Sequence, residues 1–220
     1  MLPPDSSSLV ARHPSLETRL GARRDDVAQG QRARLLDAMA RVVAERGYVA
    51  TTVAHVVRDA GVSRSTFYEQ FASKEACFLE TYRHGVEVLS EDVDRAVAGA
   101  QGDWRAQLRA GIRAYLESLA AEPMFARTYL HEIHMAGEPA LAERTAALRR
   151  FAGRYRATAL AAGAREPHPE TLFVLCAGTE QLCAERLRES GADAVRALED
   201  VFMLTAEAVL LGANPDHEET

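Results

Sequence analysis

Between Thr51 and Lys74 the chain places three helix-capping residues and one glycine, and this punctuation limits the fold more than any other feature. Thr51 suits the N-cap of a short helix whose apolar residues Val53, Val56, Val57 and Ala60 recur at helical spacing. Gly61 supplies the left-handed residue that ends it, so this helix stops at about Asp59. Ser63 then caps a second helix with Phe67 and Phe71 inward, leaving Arg64, Ser65, Thr66, Tyr68 and Gln70 on the remaining faces. Ser73 caps a third, with Lys74 at its first position, where a cation opposes the helix dipole. Two helices joined by a turn of three or four residues containing glycine form the arrangement that sets a second helix in the DNA major groove.

The stretch from about residue 31 to 80 resembles the TetR family of bacterial transcriptional repressors. The residues that carry the likeness are Thr51-Thr52-Val53, Ala60-Gly61-Val62-Ser63, Thr66-Phe67-Tyr68, Phe71 and Ser73-Lys74-Glu75; Glu69 stands where the family usually has histidine or a similar residue. By this resemblance and by helix position, Arg64, Ser65 and Thr66 are expected at base edges or nearby phosphates, with Arg64 the candidate for a guanine. Thr52, Ser63, Tyr68 and Lys74 are expected to position phosphates. Capping by Thr52 and Ser63 is compatible with that role, and packing is the competing explanation for Tyr68.

The flanking sequence divides accordingly. Residues 1–28, with Pro3-Pro4, three serines and scattered arginines, read as a flexible N-terminal arm, and 29–75 as the helix-turn-helix domain. Gln29 to Arg46 repeats Leu35, Leu36, Met39, Val42 and Val43 as an amphipathic helix ended by Gly47. From Lys74 to about Ala100, Phe78, Tyr82, Val86, Leu89, Val93 and Val97 keep helical spacing without a break, so one long helix should join head to body. Further helices are expected to about Ala121, over Pro123–Met135, Leu141–Ala162 and Pro169–Ser190, and over 192–211. No segment alternates like a strand. The class is all-α with about nine helices: a three-helix head, a larger effector-binding and dimerisation body over 76–212, and a C-terminal tail over 213–220.

Charge supports the division only mildly. Residues 1–75 hold 11 Arg/Lys and 9 Asp/Glu, net +2, whereas residues 76–220 hold 15 and 23, net −8. The excess of positive charge lies with the head, where phosphates would be met. Lys74 is the only lysine. Three cysteines, Cys77, Cys176 and Cys183, form neither a disulfide framework nor a CxxC pair, which suits a reducing cytosol. No apolar run reaches the length of about 20 residues that a membrane helix needs, so a cytoplasmic protein without membrane contact is expected.

The last two helices carry apolar residues almost all round, which calls for burial on two sides. In a chain this small the second side is another subunit, and the resemblance implies the same, a homodimer formed through these helices as a four-helix bundle. Leu172, Leu175, Val201, Leu204, Ala208 and Leu211 are the candidate interface. Such a dimer matches a palindromic double-stranded operator with half-sites about 34 Å apart.

The resemblance also implies a cavity for an unknown small-molecule effector between the body helices. Trp104, Tyr115, Phe125, Tyr129, Tyr155 and Phe173 are its apolar candidates, and His131, His134 and Glu180 its polar ones, although most of these residues are equally suited to a core. His131-Glu132-Ile133-His134 is one residue short of the HExxH zinc spacing and has no identifiable third ligand, so no metal is expected. No nucleophile-elbow, phosphate-loop or dinucleotide pattern occurs, and neither a cofactor nor an enzymatic activity is expected. The sequence thus points to a ligand-responsive repressor. The alternative it leaves open is a helical small-molecule or protein-binding module with a silent DNA-binding head.

Overall fold

The computed structural model describes residues 24–212, with side chains from residue 29; the first 23 residues and the tail over 213–220 lie outside the described residues. Ten α-helices and one 3-10 turn occur among the described residues, and no strand. In chain order they are α1 (Arg24–Arg46), α2 (Val53–Ala60), α3 (Arg64–Gln70), α4 (Lys74–Gly99), α5 (Trp104–Ala121), α6 (Pro123–Leu130), the 3-10 turn Glu132–Met135, α7 (Glu138–Ala161), α8 (Pro169–Ser190), α9 (Ala192–Arg196) and α10 (Glu199–Gly212). α1 therefore takes up residues 24–28, which the sequence alone assigns to the arm.

α1 roofs α2 and α3. Leu35, Met39 and Val43 are fully buried against Val56, Phe67 and Phe71, and this small core continues through Phe78 and Tyr82 of α4 into the body as one cluster ending near Leu210. Arg32 fastens three elements at one point. Its Nε donates to Glu80 on α4 at 2.8 Å, its Nη1 donates to the Gln70 carbonyl at the end of α3 at 2.8 Å, and its guanidinium lies 4.3 Å from the Phe71 ring centre. Arg41 pairs with Asp59 of α2 at 2.7 Å.

The cap of α2 is Thr52, one residue later than the sequence suggests. Thr52 is extended and accepts from the His55 amide, while His55 Nδ1 accepts from the Thr52 amide, a capping box with histidine in the usual place of glutamate. Thr51 is instead buried, and its hydroxyl donates to the Gly47 carbonyl at 2.8 Å. Gly61, at φ +63°, ends α2 in the left-handed conformation that a side chain disfavours.

α4 has 26 residues and is about 39 Å long at 1.5 Å per residue. It starts in the head and ends among the body helices. Midway along it, a Cβ on Gly85 would lie 2.1 Å from the Phe125 ring, so only glycine lets α4 cross α6 this closely. Phe125 and Tyr129 of α6 stack on each other, and Tyr129 stacks on Tyr82 of α4 at 5.6 Å.

Three body boundaries differ from the periodicity reading. α6 stops at Leu130, and the tighter turn after it brings the consecutive Glu132 and Ile133 both inward. α7 begins at Glu138 because Pro139 falls in its first turn, where a missing N–H breaks no helical bond. The segment expected as one terminal helix is two, α9 and α10, separated by the turn at Ala197 and Leu198.

Candidate nucleic-acid interface and effector cavity

The outward face of α3 is compact and polar. Ser63 caps the helix by accepting from the Thr66 amide at 3.0 Å, and the two hydroxyls lie 2.9 Å apart. Arg64 runs along Tyr68, with Nη2 3.4 Å from the phenol oxygen, and Ser65 donates to Glu69 at 3.3 Å. Arg64, Ser65 and Tyr68 are exposed, while Phe67 between them is fully buried. One residue thus anchors the helix and its neighbours present hydrogen-bonding groups to solvent, as a surface that reads base edges requires. Thr52 is exposed at the start of α2 on the same head.

Lys74 has a different setting. Its Nζ donates to the Tyr48 carbonyl at 2.9 Å and to the Thr51 carbonyl at 3.0 Å, and it sits 4.0 Å from the Tyr48 ring centre. Partial burial lowers its pKa. These contacts offset the unfavourable dipole at the start of α4: the ammonium holds the turn between α1 and α2 closed, and at most one of its three N–H groups remains for a phosphate.

The same turn is held from the body side. Glu132, only 9% exposed, accepts a hydrogen bond from the Tyr48 amide at 2.7 Å across the junction of head and body, and Arg127 of α6 approaches its other oxygen at 3.7 Å. Gly47, at φ +80°, lies against this carboxylate. Glu132 is thus a buried polar tie between two parts of the chain 84 residues apart. In sequence it sits inside a polar string that draws attention to its histidines, and nothing local marks it as buried.

The body holds a cavity of about 370 Å³ between α4, α5, α6, α7, α8 and α10. Its walls are chiefly apolar, from Val93, Leu108, Ile112, Leu148, Phe151 and Phe202. Of the nine candidates, Tyr115, Tyr129 and Tyr155 line it. Burial raises the pKa of all three phenols.

The other six do not line the cavity. Phe125 packs behind it against α4. Trp104 is covered by Arg105, and Phe173 by Arg149. His131 is half-buried and His134 exposed, both with pKa lowered by burial. Glu180 is 2% exposed and paired with Arg144 on α7, Nε to Oε1 at 3.1 Å; desolvation outweighs that partner and pushes its carboxyl up to about 7. Burial likewise pushes the Cys176 and Cys183 thiols up to about 12, which makes both poor thiolates.

The candidate interface residues also separate. Leu172 and Leu175 are 1% and 7% exposed inside a single chain, so they belong to its own core. Val201 and Leu204 of α10 are 50% and 72% exposed, and Ala208 is exposed with Leu211 at its edge. On α8 the outward apolar residue is Val174, at 68%. Counting along the helix by three or four from Leu172 selects the inward row of Leu172, Leu175 and Cys176 and passes over the outward Val174.

A tri-helical head that presents α3, carried on a helical body that holds a cavity, defines an all-helical helix-turn-helix architecture. Residues 35–81 match the family of bacterial regulatory proteins called the tetR family. The match covers the head alone, and over these residues the chain is similar to that family. The HTH-type transcriptional regulator BetI of Brucella anthropi is 34% identical over 67 residues, which cover 30% of this chain and 34% of BetI. EthR of Mycolicibacterium smegmatis is 30% identical over 95 residues, covering 43% of this chain and 44% of EthR. The matches thus span between a third and a half of these curated relatives. Two solved structures share the fold over most of the chain: FadR of Bacillus subtilis in complex with stearoyl-CoA, at TM-score 0.68, 16% identity, 82% of this chain and 97% of that one, and a TetR-family regulator from Syntrophomonas wolfei, at TM-score 0.70, 13% identity, 86% and 99%. No helix among the described residues is long and apolar enough to cross a membrane.

Proposed function

We propose that this chain is a ligand-responsive transcriptional repressor that binds a palindromic operator as a homodimer and leaves it when a small, mainly apolar effector enters the body. The observation that carries this reading is α4. A single helix begins at Lys74, bonded to the turn of the head, and reaches the cavity with Val93 and Val97. An effector that displaces the cavity end therefore acts on the head through a rigid element. A tenfold loss of operator affinity requires only ~1.4 kcal/mol of preference for the displaced state.

Arg64, Ser65 and Thr66 are the base-reading residues of this proposal, and Thr52, Ser63 and Tyr68 the phosphate contacts. Lys74 contributes to DNA binding through the turn it holds, with at most one N–H directed at a phosphate. Tyr115, Tyr129 and Tyr155 are the effector contacts, and the stearoyl-CoA complex of a protein with this fold supports an apolar chain as part of the ligand class. Val174, Val201, Leu204 and Ala208, with Leu211 at the edge, form the dimer face, since an apolar patch of this kind on a monomer marks an interaction surface.

The test is binding of the purified protein to the DNA flanking its own gene at two salt concentrations, together with its mass in solution. Saturable binding as a dimer that survives competitor DNA and weakens steeply with salt is the expected result. Leu204→Glu should yield a monomer that loses this binding. Absence of binding at low salt would favour a helical ligand- or protein-binding module with a silent head.

A further inference from the structure

Among the described residues that line the cavity, only Asp94 and Arg154 are charged. They face each other as a fork: Arg154 Nε donates to Asp94 Oδ1 at 2.7 Å, and Nη2 donates to Oδ2 at 2.7 Å. The pair joins α7 to α4 at the cavity rim, on the half of α4 remote from the head. Its two members are held unequally. The Arg154 side chain is 29% exposed, its guanidinium is 5.0 Å from the centre of the Phe151 ring, and its Nη1 points to the Arg150 carbonyl at 3.4 Å. The Asp94 side chain is 60% exposed, and among the described residues Arg154 is its one ion-pair partner. The Arg154 hydrogen bond lowers the Asp94 pKa, so the carboxylate stays ionised at neutral pH. The cation is fixed against the cavity wall, whereas the anion can swing into solvent.

An exposed ion pair of this type contributes little net stability, because both partners are well solvated when apart. A second carboxylate arriving with an apolar body has the same fork geometry available, and burial of that body adds a driving force that Asp94 lacks. Resting on the reading of the cavity as the effector site, we propose that Asp94 is an internal stand-in for the head group of the effector, and that the effector class is an amphiphile with an apolar body and one carboxylate. Its head group takes the Arg154 fork from Asp94, and its body fills the space bounded by Val93, Ile112, Leu148 and Phe151. The exchange also releases α4 from α7 at the end opposite the head, so recognition of the anion and loosening of the connecting helix are one event.

The test is calorimetric titration of the full chain with octanoate and with 1-octanol, which share an apolar tail and differ in head group. The expected result is octanoate binding tighter than octanol by about tenfold in the wild type. Arg154→Gln should abolish that preference while leaving octanol binding unchanged. Asp94→Asn, which removes the competing carboxylate, should strengthen octanoate binding and leave octanol alone. Leu108→Trp, which fills the cavity, should remove both, locating the binding. Equal affinities for the two compounds in the wild type, or a preference for octanoate that survives Arg154→Gln, would overturn the carboxylate assignment while the cavity remains the effector site. Failure of both compounds to bind the wild type would overturn the cavity reading and this assignment together.

Discussion

Removing the Glu132 carboxylate should loosen the head from the body. Glu132 is nine-tenths buried, and its Oε2 accepts from the Tyr48 amide at 2.7 Å, within the range of a charge-assisted bond. Glu132→Ala leaves that amide without its acceptor at a junction into which water enters poorly, at a cost of about 1.5–3 kcal/mol for a bond to a charged group. The Arg127 approach at 3.7 Å adds little, since Arg127 is half-exposed. For a chain of this size the melting temperature should fall by roughly 2–4 °C for each kcal/mol. Glu132→Gln keeps a neutral acceptor in nearly the same shape and should lose less than half as much. The assay is urea unfolding of both variants, paired with hydrogen exchange at the Tyr48 amide, which reports this bond alone. Exchange at Tyr48 should accelerate in Glu132→Ala well beyond the change at Leu35 or Phe67 in the head core. Stability within ~0.5 kcal/mol of wild type, the scatter expected of a surface substitution, with Tyr48 exchange unchanged, would refute the claim that this bond ties head to body.

Three further outcomes follow from the same geometry. Lys74→Ala uncovers the Tyr48 and Thr51 carbonyls and should destabilise the head by about 1–3 kcal/mol while leaving the slope of log affinity against log salt nearly unchanged; a shallower slope with intact stability would make it a phosphate contact. Arg64→Ala should cost about 1–3 kcal/mol on the operator and relax preference at one base pair, whereas equal losses on operator and random DNA would assign Arg64 to the backbone. Glu180 titrates near 7 in the folded chain against about 4.5 for an ordinary glutamate. Between those values the unfolded chain has given up a proton that the folded chain keeps, so stability should fall as pH rises from about 4.5 to 7. Glu180→Gln should lack this decline in a pH series of urea midpoints, and an identical decline in the variant would show that other groups cause it.

The head was legible in its residues because its determinants are local. A hydroxyl before a helix, a glycine after it, and two phenylalanines four apart specify α2 and α3 whatever packs beside them. The one-residue error at Thr51 arises because two threonines stand together, and burial, which sequence does not report, sends one hydroxyl to Gly47 and the other to the cap. The body was less legible. Tyr115, Tyr155, Phe125 and Phe173 are all aromatic residues on amphipathic helices, yet the first two border a cavity and the last two do not. Leu172 and Val174 are two residues apart and lie on opposite sides of the chain's own surface.

By itself the sequence determined an all-helical chain, the caps and glycine that set out a helix-turn-helix, and the unbroken periodicity that makes α4 one element. These follow from backbone geometry and from spacing over a few turns. Tertiary structure decided that Lys74 closes a turn, that Glu132 reaches an amide 84 residues away, and that Arg154 meets Asp94 across the cavity rim. Each of those contacts joins side chains on different helices. Its existence depends on crossing angles and on how closely helices approach, as at Gly85 over Phe125, and these are fixed only when all the buried faces pack at once.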